Sequence, residues 1–195
     1  MKNKQVGIDN NFKILRESHT DLGISDLYDI SKRILKYVYD NELHTGRSKT
    51  ALISGTIFAS CRSENKPINP KDIADYFSLQ KYTVLSSSKY ISKNIPFVED
   101  SPIKWESFLN DMCGNFDISS TAKNKAIDIG LNGKENGIMS GRSTRSYAVS
   151  TLYAATNLES VNEHITQSEL SDYTGVSEST IREIYKKQLS VFKND

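Results

Sequence analysis

Apolar residues recur at intervals of three and four along almost the whole chain. Between Ser25 and Asn41 they fall at Leu27, Ile30, Ile34, Leu35 and Val38, a stripe wide enough to face a core. A helix is predicted to follow Gly46-Arg47-Ser48, with Ser48 as N-cap and Gly46 ending the preceding turn. Asn69-Pro70 pairs a capping residue with a proline at the first helical position, where no N–H is needed, and predicts a helix to about Phe77. Further helices are expected from about Tyr82 to Asn94 and near 104–113, 119–132, 143–157, 166–173 and 177–192. No window alternates long enough, with β-branched residues, to demand a strand. The fold class is therefore all-α.

The pattern is duplicated. Gly46-Arg47-Ser48 is followed by Ala51-Leu52-Ile53-Ser54-Gly55-Thr56-Ile57-Phe58-Ala59. Gly141-Arg142-Ser143 is followed by Ser146-Tyr147-Ala148-Val149-Ser150-Thr151-Leu152-Tyr153-Ala154. At an offset of 95 (141 − 46) the Gly-Arg-Ser triplet, Thr56/Thr151 and Ala59/Ala154 are identical. That period is far longer than a solenoid unit, so it marks a duplicated domain. Residues 1–97 form the first expected repeat and 98–195 the second, with Asn94 to Pro102 as linker because Pro96, Pro102 and two acids interrupt the pattern. Both central helices are rich in small residues: Ala51, Ser54, Gly55, Ala59 and Ser60, then Ala148, Ser150, Ala154 and Ala155. Glycine costs roughly 1 kcal/mol against alanine inside a helix, so such a helix is one that several others approach closely.

Ile165 to Arg182 has the grammar of a helix-turn-helix. Thr166 and Glu169 make a capping box, Leu170 faces inward, Gly175 supplies a left-handed turn, and Val176 plugs the angle. Ser177 caps a second helix whose Ile181, Ile184 and Leu189 are expected to look inward, leaving Glu178, Ser179, Arg182 and Lys186 on the open face. In a DNA reader such positions reach base edges, and an arginine grips guanine O6 and N7 with two hydrogen bonds. A solvated helical hairpin would show the same pattern. Ile68 to Ile91 repeats the device at an offset of 97: Leu79 stands opposite Val176 and Val84 opposite Ile181, but Leu85 replaces Arg182 and Tyr82 replaces Ser179. Duplicated structure with a diverged surface suggests two different partners.

Composition narrows the choices. There is no run of about eighteen apolar residues, so no membrane span is expected. Met1-Lys2-Asn3-Lys4-Gln5 is polar, lacks a signal region and is expected to fray. Cys61 and Cys113 stand alone, which suits reduced core thiols and excludes a Cys-x-x-Cys zinc site. The net charge is +1, with 15 Lys/Arg against 12 Asp/Glu in residues 1–100 and 10 against 12 in residues 101–195. A protein holding DNA by phosphate neutralisation alone would be more basic, so a partner or a local patch must supply affinity. His19, His44 and His164 are scattered, and Asn132-Gly133-Lys134 lacks the length and preceding strand of a phosphate loop. No catalytic residue, metal ligand or cofactor is expected, and the chain is not expected to be an enzyme.

Taken together, the paired Gly-Arg-Ser openings, Ile57-Phe58-Ala59-Ser60-Cys61-Arg62, Asp72-Ile73-Ala74, Leu152-Tyr153-Ala154-Ala155 and Thr180-Ile181-Arg182 followed by Tyr185 resemble the C-terminal core of the general transcription factor B family of archaea and eukaryotes (TFB, TFIIB). The resemblance runs from about Asp9 to Lys193. It implies two tandem five-helix cyclin-like repeats, the second ending in the helix-turn-helix. It implies a monomer of the cytoplasm or nucleus that clasps the TATA-binding protein on bent promoter DNA and helps recruit RNA polymerase. Carried over by position, Arg182 matches the arginine that reads the element upstream of TATA, with Ser179, Thr180 and Lys186 beside it on the recognition helix. Ser179 stands where many members have valine, which puts the usual base preference in doubt. Gly46 and Arg47 match the loop that approaches DNA downstream of TATA. Lys81 matches one of a lysine pair touching the TATA-binding protein, and its neighbour Tyr82 departs from the pattern. The zinc ribbon that usually opens family members is absent from this sequence. Two other classes remain: a cyclin-like protein scaffold without DNA contact, and a stand-alone helix-turn-helix regulator.

Overall fold

The computed structural model describes residues 2–158, 161 and 163–192, with side chains from Gly7 onward. Lys193, the expected end of the resemblance, lies outside the described residues. Among the described residues ten α-helices and one 3₁₀ turn make up the regular structure, and no strand occurs. The chain divides into two units, Met1–Pro102 and Ile103–Asp195.

Unit 1 contains α1 (Lys2–Asp21), a 3₁₀ turn (Ser25–Leu27), α2 (Tyr28–Asp40), α3 (Lys49–Ser63), α4 (Pro70–Tyr76) and α5 (Lys81–Asn94). Every residue of α3 from Ala51 to Cys61 is buried, and α1, α2, α4 and α5 all pack on it. Ile53, Ile57 and Cys61 meet Leu15, Leu35, Ile73 and Val84, while Leu52 and Ala59 meet Ile34, Val38 and Ile91. Each fully buried Ile or Leu contributes about 1.5–3 kcal/mol of transfer free energy. The small residues of α3 let α5 come close: a methyl group on Gly55 would lie 2.5 Å from Ser87 Cβ and 2.9 Å from the Ser88 nitrogen. Burial also pushes the Cys61 thiol up to about 12, so it stays a neutral core group.

Helix α1 has no counterpart in the sequence-based expectation, which treated its start as frayed; the helix begins at Lys2. Its buried face carries Asn11, Ser18 and His19 as well as Leu15, so hydrophobic periodicity alone is a weak signal there. The polar groups are paired instead. His19 Nδ1 lies 2.7 Å from the Leu15 carbonyl and Nε2 lies 2.8 Å from Ser31 Oγ, which is 2.6 Å from Ser60 Oγ on α3. Burial lowers the His19 pKa, which favours the neutral ring donating from Nδ1 to the carbonyl.

The proline-bearing segment after α5 is fastened to unit 1 rather than hanging free. Ile95 and Val98 are buried in its core. Arg62 lies 2.7 Å from the Asp100 carboxylate and donates to the carbonyls of Asp100 (2.8 Å) and Ser101 (3.0 Å).

Unit 2 contains α6 (Trp105–Asn115), α7 (Ser120–Glu135), α8 (Thr144–Thr156), α9 (Gln167–Thr174) and α10 (Glu178–Phe192). Helix α8 is the central one, packed against α6, α7, α9 and α10. Trp105 and Tyr147 are fully buried edge to face, with centroids 5.6 Å apart, and Tyr147 Oη donates to the Gly130 carbonyl (2.6 Å). Here the close approaches fall on α7, where a methyl group at Gly130 would lie 2.2 Å from the Trp105 ring. Asn132-Gly133-Lys134 sits inside α7, with Gly133 against the Tyr147 hydroxyl.

Candidate nucleic-acid interface

Helices α9 and α10 and the turn between them are set by local chemistry. The Thr166 hydroxyl accepts from the Glu169 N–H (3.2 Å), and the Glu169 carboxylate accepts from the Thr166 N–H (2.8 Å) and hydroxyl (2.6 Å). Those bonds, the hydroxyl's first, hold the Glu169 carboxyl below the usual carboxylate range. Gly175 ends α9 at φ +69°, a conformation that costs a residue with a side chain about 1–2 kcal/mol. Val176 is buried in the angle, and Ser177 Oγ accepts from the Thr180 N–H at the head of α10 (3.3 Å).

Ile181 and Ile184 face the core as expected, but the third inward position differs. Leu189 is only half-buried, and Gln188 is fully buried in its place. The inward row is thus Ile181, Ile184 and Gln188, spaced by three and four. Gln188 is half satisfied there: Nε2 donates to Thr151 Oγ1 on α8 (2.6 Å), while Oε1 has no hydrogen-bond partner among the described residues.

The opposite face of α10 exposes Glu178, Ser179, Arg182 and Lys186, while Thr180 is half-buried with its hydroxyl 2.8 Å from Ser177 Oγ. Arg182 Nη2 donates to Gln167 Oε1 at the head of α9 (3.0 Å), and the Glu178 carboxylate lies 3.8 Å away. Such exposed pairs are worth up to about 1 kcal/mol, so Arg182 is oriented yet able to exchange these acceptors for others. Gln167 was not anticipated from the sequence. It stands 15 residues before Arg182 (182 − 167), and only the turn at Gly175 brings them together.

Gly46, Arg47, Lys81 and Tyr82 belong to unit 1. Gly46 has φ +73° in the exposed loop between α2 and α3. Arg47 is exposed, its guanidinium stacked on Tyr90 of α5 with Cζ 3.4 Å from the ring centroid. Lys81 and Tyr82 are exposed at the other end of α5, nine (90 − 81) and eight (90 − 82) residues from Tyr90, or ~12–14 Å at about 1.5 Å per residue. Tyr82, at 76% exposure, spends apolar area on solvent. The second Gly-Arg-Ser triplet is tied down: Arg142 donates from Nε to the Ile138 carbonyl (3.1 Å) and from Nη2 to Glu183 (2.9 Å). Neither Tyr90 nor Glu183 was a sequence candidate.

Among the described residues no cluster of His, Cys, Asp or Glu could hold a metal ion, and no helix is long and apolar enough to cross a membrane. The family model of the transcription factor TFIIB repeat matches the chain twice, over residues 18–94 and 98–191. "Transcription initiation factor IIB 7" of Halobacterium salinarum is 27% identical over 161 residues, covering 83% of this chain and 49% of the relative. "Transcription initiation factor IIB 2" of Haloferax volcanii is 29% identical, covering 81% and 47%, and "Transcription initiation factor IIB" of Xenopus laevis is 28% identical, covering 83% and 50%. The chain spans about half the length of these relatives. With two matched repeats and two all-helical units, each built on a buried central helix, this chain belongs to the TFIIB repeat family.

Proposed function

We propose that this chain is the promoter-binding core of a general transcription initiation factor. It docks on the TATA-binding protein over bent duplex DNA, reads a base upstream of TATA from α10, and helps recruit RNA polymerase. The observation that carries the reading is the exposed face of α10, where Arg182 stands one turn into a capped helix-turn-helix, oriented by Gln167. An N-terminal arginine on such a helix is placed for bidentate recognition of guanine, and Ser179 and Lys186 flank it. Gly46 and Arg47 supply the second DNA contact, and Lys81 and Tyr82 face the protein partner.

The net charge of +1 sets the energetics. Few counterions can be released, so the chain alone binds duplex DNA weakly. A protein partner that has already bent the DNA removes the deformation cost and adds its own contacts, which turns two weak interactions into one stable complex.

Mobility shifts at fixed salt, with chain, TATA-binding protein and TATA duplex each omitted in turn, test this. A stable complex only when all three are present is expected, and Lys81→Glu should weaken only the reaction containing the TATA-binding protein. Tight sequence-specific binding by the chain alone would mark a stand-alone regulator. No shift in any combination would mark a protein-only scaffold.

A further inference from the structure

The two Gly-Arg-Ser loops have the same backbone and opposite side-chain fates. In unit 1 the N–H groups of Leu43, Thr45 and Arg47 donate to the carbonyls of Val38, Glu42 and His44. In unit 2 Ile138, Ser140 and Arg142 donate to Gly133, Gly137 and Met139, each exactly 95 residues later. The left-handed residues also coincide, Glu42 (φ 56°) with Gly137 (φ 74°) and Gly46 (φ 73°) with Gly141 (φ 72°). Whatever separates Arg47 from Arg142 therefore comes from the last helix of each unit, which lies behind the loop.

Two of the positions at which that helix differs, at the offset of 97, meet the loop. Unit 2 has Glu183 and Lys187; unit 1 has Ser86 and Tyr90. Glu183 binds Arg142 at 2.9 Å and Lys187 at 3.0 Å, and these bonds, Arg142's first, hold its carboxyl below the usual range. Arg142 thus has two of its donors occupied, one by the Ile138 carbonyl and one by a carboxylate that it shares with Lys187. In unit 1 Ser86 turns its hydroxyl back to the Thr83 carbonyl and offers no charge. Tyr90 meets Arg47 with its ring instead. Stacking engages the face of a guanidinium, while its five N–H donors point outward in the plane, so the charge and the hydrogen-bonding edge both survive. Tyr90 is itself fixed by the loop it serves, because its hydroxyl donates to the Leu43 carbonyl (3.2 Å).

We infer that Tyr90 is a positioning residue for DNA binding: it carries the Arg47 guanidinium on its ring and presents the N–H edge to a backbone phosphate, whereas Glu183 retires Arg142 into a structural clamp. The inference rests on the reading of Arg47 as a DNA contact and names the residue that makes it one.

The test uses the full chain, the TATA-binding protein and a TATA duplex, with affinity measured over a range of salt. Arg47→Ala should weaken the complex about tenfold, the loss of one charge-assisted contact, and lower the salt slope by about one. Tyr90→Leu should weaken it about three- to fivefold, and Tyr90→Phe should keep the original affinity. In the Arg47→Ala background Tyr90→Leu should cost nothing further. Ser86→Glu, on the exposed side of α5, copies the Glu183 clamp and should approach the Arg47→Ala affinity, again with no added effect when Arg47 is already gone. It also decides the matter if Tyr90→Leu melts too low to measure. NMR of the chain without DNA should show the Arg47 side-chain protons shifted upfield by the ring in the original protein and in Tyr90→Phe. Arg47→Ala weakening the complex while Tyr90→Leu and Ser86→Glu leave it unchanged would overturn the inference and leave the functional reading intact. Arg47→Ala without effect, beside an Arg182→Ala variant that loses base preference, would overturn it equally. A complex that never forms with the original chain would sink both.

Discussion

The pair of helices α3 and α5 in unit 1 and the pair α8 and α10 in unit 2 occupy the same place in the fold and are held differently. In unit 1 the helices meet at Gly55 against Ser87, with no room for a methyl group. The corresponding residues of unit 2, by the offsets of 95 and 97, are Ser150 and Ile184, and the tight glycine contacts move to α7. Beside them, Thr56 and Ile91 of unit 1 correspond by the same offsets to Thr151 and Gln188 of unit 2. The Thr151 hydroxyl accepts from Gln188, whereas the buried Thr56 hydroxyl has no hydrogen-bond partner among the described residues. A repeated topology therefore needs a fully buried central helix, but not the same contacts around it. The freedom left over is what lets one unit keep Arg182 and the other place Tyr82 and Leu85 at the matching surface positions.

The largest break in that comparison should come at Gly55. Gly55→Ala inserts a methyl group against the backbone of α5, and forced overpacking outweighs the helix propensity gained, for a net loss of about 2 kcal/mol. Ser150→Ala removes only a hydroxyl bonded within its own helix, to the Ser146 carbonyl, and should change stability by less than about 1 kcal/mol. Denaturant melts of both variants check the contrast; equal losses would mean the units pack alike.

A smaller effect separates the two threonines. Thr151→Val strands the buried Gln188 amide and should cost about 1–3 kcal/mol. Thr56→Val removes a hydroxyl that is already unpaired and should be neutral or slightly stabilising. Reversal of that order would refute the pairing.

The smallest contrast is with pH. The folded His19 pKa lies below 6.5, so the unfolded chain takes up a proton first as pH falls. Stability stored in neutral His19 is therefore present above 6.5 and is lost as pH drops through 6.5 toward the folded value. Glu169 and Glu183 in unit 2 are held below 4.5, so their contributions go only at more acid pH, as it falls through their folded values. Hydrogen exchange should show α3 losing protection before α8 on mild acidification, and His19→Asn should remove the difference.

Much of this was legible in the sequence because the informative positions obey local rules. Periodicity fixed α2, the capping pairs Asn69-Pro70 and Thr166/Glu169 located two helix starts, and Gly175 located the turn. Local rules also mark where the reading fell short. Helix α1 hides its buried face behind Asn11, Ser18 and His19; Ser18 bonds back to the Leu15 carbonyl, while Asn11 and His19 find partners on α2. Leu189 rather than Gln188 was expected to face inward, because nothing nearby in sequence announces Thr151 as a partner for Gln188. Ser48, the expected cap, turns its hydroxyl to that of Thr50, while Ser143 at the matching position accepts from the Ser146 N–H. On the candidate interface the helix carrying Arg182 could be read, but the residues that aim each arginine, Gln167, Tyr90 and Glu183, could not. Each is set by a tertiary contact across 15, 43 or 41 residues.

The most direct measurement is the affinity of the ternary complex for a series of duplexes in which each base pair upstream of TATA is changed in turn, with the original chain and with Arg182→Ala. The original chain should discriminate by about 1–3 kcal/mol at one position, and Arg182→Ala should lose discrimination there and nowhere else. An equal loss of affinity on every duplex would mean that Arg182 touches only phosphate and that α10 reads no base.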